Sequence, residues 1–320
     1  TSEEQTEEVV VEVAVEETVV EIPEVEEPVT EEVVEVPVVE TPEETAPQEQ
    51  VPEVEVTEIN TFSINDETID DESIFKYVVD DREAAYLESV KTKHADVIAQ
   101  IRQNMVKVEG GSFVMGVEEQ TVDFDSEMNE GPAHKVNLDS YCIGRYPVTQ
   151  KQWTAIMGYN HSAQLNDEFP IAPVDWNECM LFVNRLNALT GLKFSLPTEA
   201  QWEFAAKGGV KSKGYKFSGS NELSDVAWHV GNSNSEVHNV KQLLPNELGL
   251  YDMSGNASEI VADYYADYPS SNQIDPCYTT ATQNYVVRGG DFYGNSTTCS
   301  NIYRDYNTSN HTYTNAGFRL

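Results

Sequence analysis

The apolar positions of the chain change period three times. Up to about Asn60, Val alternates with Glu, and prolines at 23, 28, 37, 42, 47 and 52 interrupt every run, so neither a helix nor a paired strand is sustained. From Asp81 on, apolar residues fall at Ala85, Leu87, Val90, Ala95, Val97, Ile98 and Ile101 after an acidic opening, which is helical spacing with a suitable N-terminus. From Met105 to Leu320, short apolar runs are punctuated by Gly, Asn and Pro, and three stretches return to a helical period: Gln150–Met157, Asn177–Leu189 and Thr198–Ala206. The last opens on Thr198 with Gln201 three residues on, a capping box, and ends at Gly208–Gly209, which suit a left-handed C-cap. The remainder predicts loops around a modest sheet, hence an α+β domain. The organisation expected is an acidic Glu/Val/Pro-rich stalk or linker over 1–67, a helical lead-in over 68–104, and a loop-rich domain over 105–320.

Charge sharpens this division. Residues 1–75 hold 26 Asp plus Glu and no Lys or Arg, whereas the rest holds 30 acidic and 19 basic residues. Dense like charge without aromatics predicts an extended, disordered tail, suited to lifting a domain off a surface. The net charge of -37, with no basic stripe, argues against nucleic-acid binding. No apolar run approaches the roughly 20 residues of a bilayer span. The first residue is Thr1 rather than Met, as expected of a removed export leader or of a trimmed sequence. Attachment to a membrane through a lipidated residue just before Thr1 is a further expectation. The four cysteines, Cys142, Cys179, Cys277 and Cys299, are too few for a disulfide scaffold and form no CxxC pair.

Six segments in one order, VEGGSFVMG (108–116), EGPAHKVNLDSYCIGRYPVTQKQW (130–153), APVDWNECMLFVNRLN (172–187), SLPTEAQWEFAAKGG (195–209), NELGLYDMSGNASE (246–259) and VVRGGDF (286–292), with GFRL (317–320) closing the chain, resemble the formylglycine-generating-enzyme (sulfatase-modifying factor) family. The resemblance implies an α+β C-type-lectin-like fold, loop-rich and often stabilised by calcium. It also implies two cysteines, five residues apart, shortly after RGG, which bind copper and handle a substrate thiol. Aligned on Arg288-Gly289-Gly290, the first position falls on Gly294 and the second on Cys299. One thiolate cannot replace two at a soft Cu(I) ion, so neither copper nor formylglycine-generating activity is expected. The family's calcium site, carried onto this chain, would use the side chains of Asp252 and Glu259; hard carboxylate oxygens suit calcium, while hydrogen bonding to the loop backbone would equally employ them.

The segment 291–315 has the most distinctive composition. Seventeen of its 25 residues are Asn, Ser, Thr or Tyr, and Lys, Glu, Gln, Leu, Val, Met, Trp and Pro are absent. A packing segment would carry aliphatics, and a disordered tail would carry Lys, Glu or Pro. Tyr with small hydrogen-bonding residues is instead the composition of a paratope. The residue set also matches adenine mutation of asparagine codons, and the arrangement resembles diversity-generating-retroelement variable proteins, with Arg288, Gly289, Gly290, Arg304, Gly317, Phe318, Arg319 and Leu320 unvaried. The expected ligand contacts are Phe292, Tyr293, Asn295, Ser296, Thr298, Ser300, Ile302, Tyr303, Asp305, Tyr306, Asn307, Thr308, Asn310, His311, Tyr313 and Thr314, with the four tyrosines as anchors and Ile302 and Phe292 the first to be expected in the core. The function implied is a receptor- or adhesin-like protein at the cell surface or outer envelope, binding a protein or glycan on another cell or host. A structural, secretion-associated envelope lipoprotein and a formylglycine-generating oxidase are the alternatives.

Overall fold

The computed structural model describes residues 77–117, 130–308 and 315–320. The expected acidic stalk, and the start of the lead-in, lie outside the described residues. The described residues all fall within one compact unit.

Two helices, α1 (Asp81–Lys93) and α2 (Ala95–Gln103), lead into the domain. The Asp80 carboxylate caps α1 by accepting the Glu83 amide at 2.8 Å. Glu83 then receives a fork of bonds from Arg185 at 2.7 and 3.0 Å, tying α1 to a later helix. Next come β1 (Met105–Val108), β2 (Gly111–Met115), β3 (His134–Leu138) and β4 (Tyr141–Gly144). Three capped helices follow, α3 (Gln150–Met157), α4 (Trp176–Thr190) and α5 (Glu199–Ala206). Thr149, Asp175 and Thr198 each close a reciprocal capping box, because each is followed at N3 by Gln or Glu. A short α6 (Leu223–Val226) precedes β5 (Ser258–Tyr264), β6 (Gln273–Ile274), β7 (Asn284–Arg288), β8 (Arg304–Thr308) and β9 (Ala316–Phe318).

β1 pairs with β4, β3 joins β2 to β6, and the principal sheet runs β8-β7-β5-β9. That sheet separates two cores. Ile260, Val287, Ala316 and Phe318 face a core built from α2, α3 and α4, with Trp153 stacked on Phe182. Val261 and Val286 face the other core, with Trp202 and Phe204 of α5 and Val136 of β3. Adjacent residues of one strand enter opposite cores, as a side-chain period of two requires. No helix among the described residues is long and apolar enough to cross a membrane.

Candidate functional site

The segment 291–315 hangs from β7 on one side and returns through β8 and β9 on the other, and buried charge holds both anchor points. Arg288, at the end of β7, is fully buried and donates to Glu199 at 2.8 Å and to Glu203 at 2.6 Å. Arg304, opposite it at the start of β8, donates twice to Glu199, at 2.8 and 2.7 Å. Glu199 and Glu203 sit one turn apart on α5, so both carboxylates aim at the same sheet face. Burial opposes ionisation of Glu203, but Lys207 and Arg288 prevail and hold its carboxyl below the usual range. Nearby, burial and then the Glu199 charge push Asp263 up to about 7. The sequence treats α5 only as scaffold; the signal for this cluster is two glutamates at helical spacing on a face otherwise apolar.

After Arg288 the backbone turns at Gly289 and Gly290, both at positive φ. A Cβ on Gly290 would lie 2.6 Å from the Thr298 carbonyl oxygen, so only glycine permits this approach. Asp291 then clasps the segment shut: one carboxylate oxygen accepts the Tyr293 amide and the other accepts the Asn315 side chain, each at 2.9 Å. Asn295 closes the next turn by accepting the Thr297 and Thr298 amides, while the Thr298 hydroxyl accepts the Asn295 amide. This turn carries Cys299 back toward Gly294. A Cβ at Gly294 would lie 2.7 Å from the Cys299 sulfur, so the two positions face one another and only one carries a thiol. Burial pushes the Cys299 thiol up to about 12. At neutral pH it is neither thiolate nor paired, and the residues present do not fit a two-thiolate copper site.

The strand period sorts the expected contact residues. Tyr306 lies on the α5 side with Arg304 and its ring is 5.2 Å from that of Tyr265, while Asp305 and Asn307 lie on the opposite side. Tyr293 is 54% exposed, the most open aromatic among the described residues of the segment, and its ring tilts against Phe292 at 4.4 Å. It stands at the shared wall of two cavities. One, of about 220 Å³, takes in Asn295, Thr298, Tyr303 and Asp305; the other, of about 190 Å³, takes in Phe292 with Ser162, Gln164 and Asn315. Asn295 and Ser296 are exposed, whereas Phe292, Thr298, Ile302, Tyr303, Asp305 and Tyr306 are half-buried. Burial, followed by the Asp291 charge, raises the Asp305 carboxyl above its ordinary value.

Two expected contacts are corrected. Ser300 and Asn307 are buried, at 5% and 3% exposure; Asn307 shares its face of β8 with the half-buried Asp305 and lies beside the buried Tyr285 of β7. Asn310, His311, Tyr313 and Thr314 lie outside the described residues, and Thr308 is described only as a strand residue. Asp291 and Asn315, which set the mouth of the segment, escaped the sequence reading because their roles depend on contact across the whole loop.

The pair expected to hold calcium does not form a cation site. Both oxygens of Glu259 receive the Arg319 guanidinium, and one also receives the Trp202 indole N–H at 2.7 Å. The arginine supplies the cation there. One oxygen of Asp252 accepts the Lys241 amide at 2.8 Å and the other accepts the Asn256 side chain at 3.3 Å. Burial pushes the Asp252 carboxyl up to about 6. No group of three or more potential ligands converges among the described residues.

The model of the sulfatase-modifying factor enzyme 1-like domain matches residues 90–320. Chaperone protein LppX of Paenibacillus barcinonensis is 30% identical over 209 residues, covering 50% of this chain and 71% of that protein. Formylglycine-generating enzyme of Thermomonospora curvata is 26% identical over 293 residues, covering 69% of this chain and 93% of that protein. Among solved structures, Treponema denticola variable protein 1 matches with a TM-score of 0.60 at 27% identity, covering 67% of this chain and 93% of that one. PvdO from Pseudomonas aeruginosa matches in fold with a TM-score of 0.57 at 24% identity, covering 67% and 92%.

Proposed function

We propose that this chain, which belongs to the sulfatase-modifying factor enzyme 1-like family and has its α+β formylglycine-generating-enzyme fold, is a ligand-binding member rather than an oxidase. The observation that carries this reading is the facing of Gly294 and Cys299: the position for a thiol pair is retained and one thiol is gone. The surface around it is built of hydrogen-bonding side chains and tyrosines, with Tyr293 projecting between two cavities. Large, stiff amphipathic rings flanked by small polar groups suit recognition of varied partners at low entropic cost. Residues 291–315 are the contact segment on this account, with Tyr293, Tyr303 and Tyr306 as described anchors. Diversification of the segment by a retroelement explains why its composition follows the genetic code rather than packing. The structural likeness to a protein called a variable protein supports that reading. A protein or glycan on another cell or host is the ligand class, and the cell surface or envelope, with anchoring through the N-terminus, is the location that suits it.

A fixed-partner scaffold role at the envelope is the second reading, favoured by the 30% identity to a protein named a chaperone. The test is retention of the labelled full chain on protein and glycan arrays, beside an assay for conversion of a peptide cysteine to an aldehyde with added copper. Retention lost on Tyr293→Ala with Tyr303→Ala, at unchanged melting temperature, and silence in the aldehyde assay are expected. Aldehyde formation by the wild-type chain would refute the reading.

A further inference from the structure

A third cavity, of about 800 Å³, shares no residue with the two beside Tyr293 and lies among α2, β4 and the loop that follows α4. Its size is within the range of small-molecule sites. Met105, Tyr141, Phe194 and Leu320 supply apolar wall, and Leu192 stands beside them with 43% of its surface exposed. Arg102 and Lys193 are the charged residues of the lining, which contains no Asp or Glu. Both are exposed, and neither makes an ion pair among the described residues. Residues 76–320 hold 30 acidic and 19 basic residues, so a lining whose charged side chains are both basic runs against the average of the domain. Apolar wall with cations that pair with no described carboxylate complements one ligand chemistry, an acyl chain ending in an anion: the tail displaces water from the wall, and the head meets charges that no Asp or Glu among the described residues satisfies.

We infer that this groove binds a long-chain carboxylate, with its head group at Arg102 and Lys193 and its tail along Met105, Phe194 and Leu192. The site is independent of the segment 291–315, so it stands or falls separately from ligand recognition there.

Cys142 gives the test a built-in reporter, because its free thiol is exposed at the groove wall. Cys179 and Cys299 are buried, and the exposed Cys277 is outside the groove lining, so the Cys142 peptide is followed by itself. The full chain is treated with a maleimide and the Cys142 peptide is followed by mass spectrometry, with laurate added below micelle formation. Laurate is expected to slow Cys142 alkylation saturably, about tenfold at roughly ten times its Kd by mass action. Dodecanol and dodecyltrimethylammonium, with the same tail and no anion, leave the rate unchanged. Arg102→Glu with Lys193→Glu abolishes protection while the rate without laurate stays the same. Native mass spectrometry of the wild-type chain, showing one laurate bound, supports the site without any variant. No protection by laurate, equal protection by the cationic amphiphile, or protection retained in a folded double variant would overturn the assignment.

Discussion

Replacing Gly294 by cysteine probes the geometry on which the functional reading rests. A Cβ at 294 meets the Cys299 sulfur at 2.7 Å, the Thr298 hydroxyl at 2.8 Å and the Asp291 carbonyl oxygen at 2.9 Å. The sulfur and the hydroxyl can swing aside, but the carbonyl belongs to the clasped backbone, so added volume is overpacking and costs about 1–3 kcal/mol. Gly294→Ala isolates that cost, and in a domain of this size each kcal/mol corresponds to roughly 2–4 °C of melting temperature. Gly294→Cys carries the same cost when reduced. Oxidation then joins positions 294 and 299, and constraining so short a loop in the unfolded chain returns about 2 kcal/mol. The oxidised protein should therefore melt about 4–8 °C above the same protein reduced. Loss of two hydrogens by mass, protection of Cys299 from denatured-state alkylation, and the paired melting curves read the outcome. When reduced, the variant should also withhold Cu(I) from a competing chelator, which the wild-type chain should not. If oxidation leaves the thiols at 294 and 299 alkylatable, or the oxidised form melts no higher, Gly294 and Cys299 do not face one another and the broken-pair argument fails.

Other expectations follow from the same contacts. Glu199→Gln leaves Arg288 and Arg304 underpaired in a buried site and should cost about 3–5 kcal/mol, read by denaturant unfolding; a loss under 1 kcal/mol would show that the cluster is not what anchors the segment. Tyr293→Ala should weaken any ligand contact by about 2 kcal/mol, roughly thirtyfold in Kd, with no change in melting. Asp263 has a folded pKa raised to about 7, so the folded state holds more protons than the unfolded one between about pH 4 and 7. Its contribution is therefore present at acid pH and lost as pH rises through 7, at up to about 1.4 kcal/mol per pH unit. Asp263→Asn should flatten that slope, and an unchanged slope would assign the effect elsewhere. Thr198→Ala should cost about 1 kcal/mol by opening the α5 capping box.

What the sequence made legible is mostly what local chemistry decides. The spacing over Gln150–Met157 predicts α3 to the residue, and that over 177–189 predicts all but the ends of α4. The Thr198–Gln201 box is present as both of its bonds, because a cap involves only residues three apart. Aligning on RGG places Gly294 opposite Cys299 in number, but the turn closed by Asn295 and Thr298 is what brings them together in space. Composition marks 291–315 as unusual yet cannot assign its faces. That depends on what packs against each position: Asp305 and Asn307 share one face of β8, yet only Asn307, opposite the buried Tyr285, is buried. The carboxylates of Asp252 and Glu259 suit calcium as chemistry. Their partners, Arg319 at the far end of the chain and Lys241 in a separate loop, arrive only on folding.

The central claim, that 291–315 is a varied contact segment on an unvaried scaffold, is tested most directly by reading this gene across sibling isolates. The account predicts substitutions clustered at the exposed positions Tyr293, Asn295 and Ser296 and at the half-buried, cavity-lining positions Tyr303 and Asp305. It predicts none at Arg288, Arg304 or Gly317–Leu320, which the buried cluster and β9 hold in place. A segment identical in every isolate, or substitutions spread evenly over the scaffold, would contradict it.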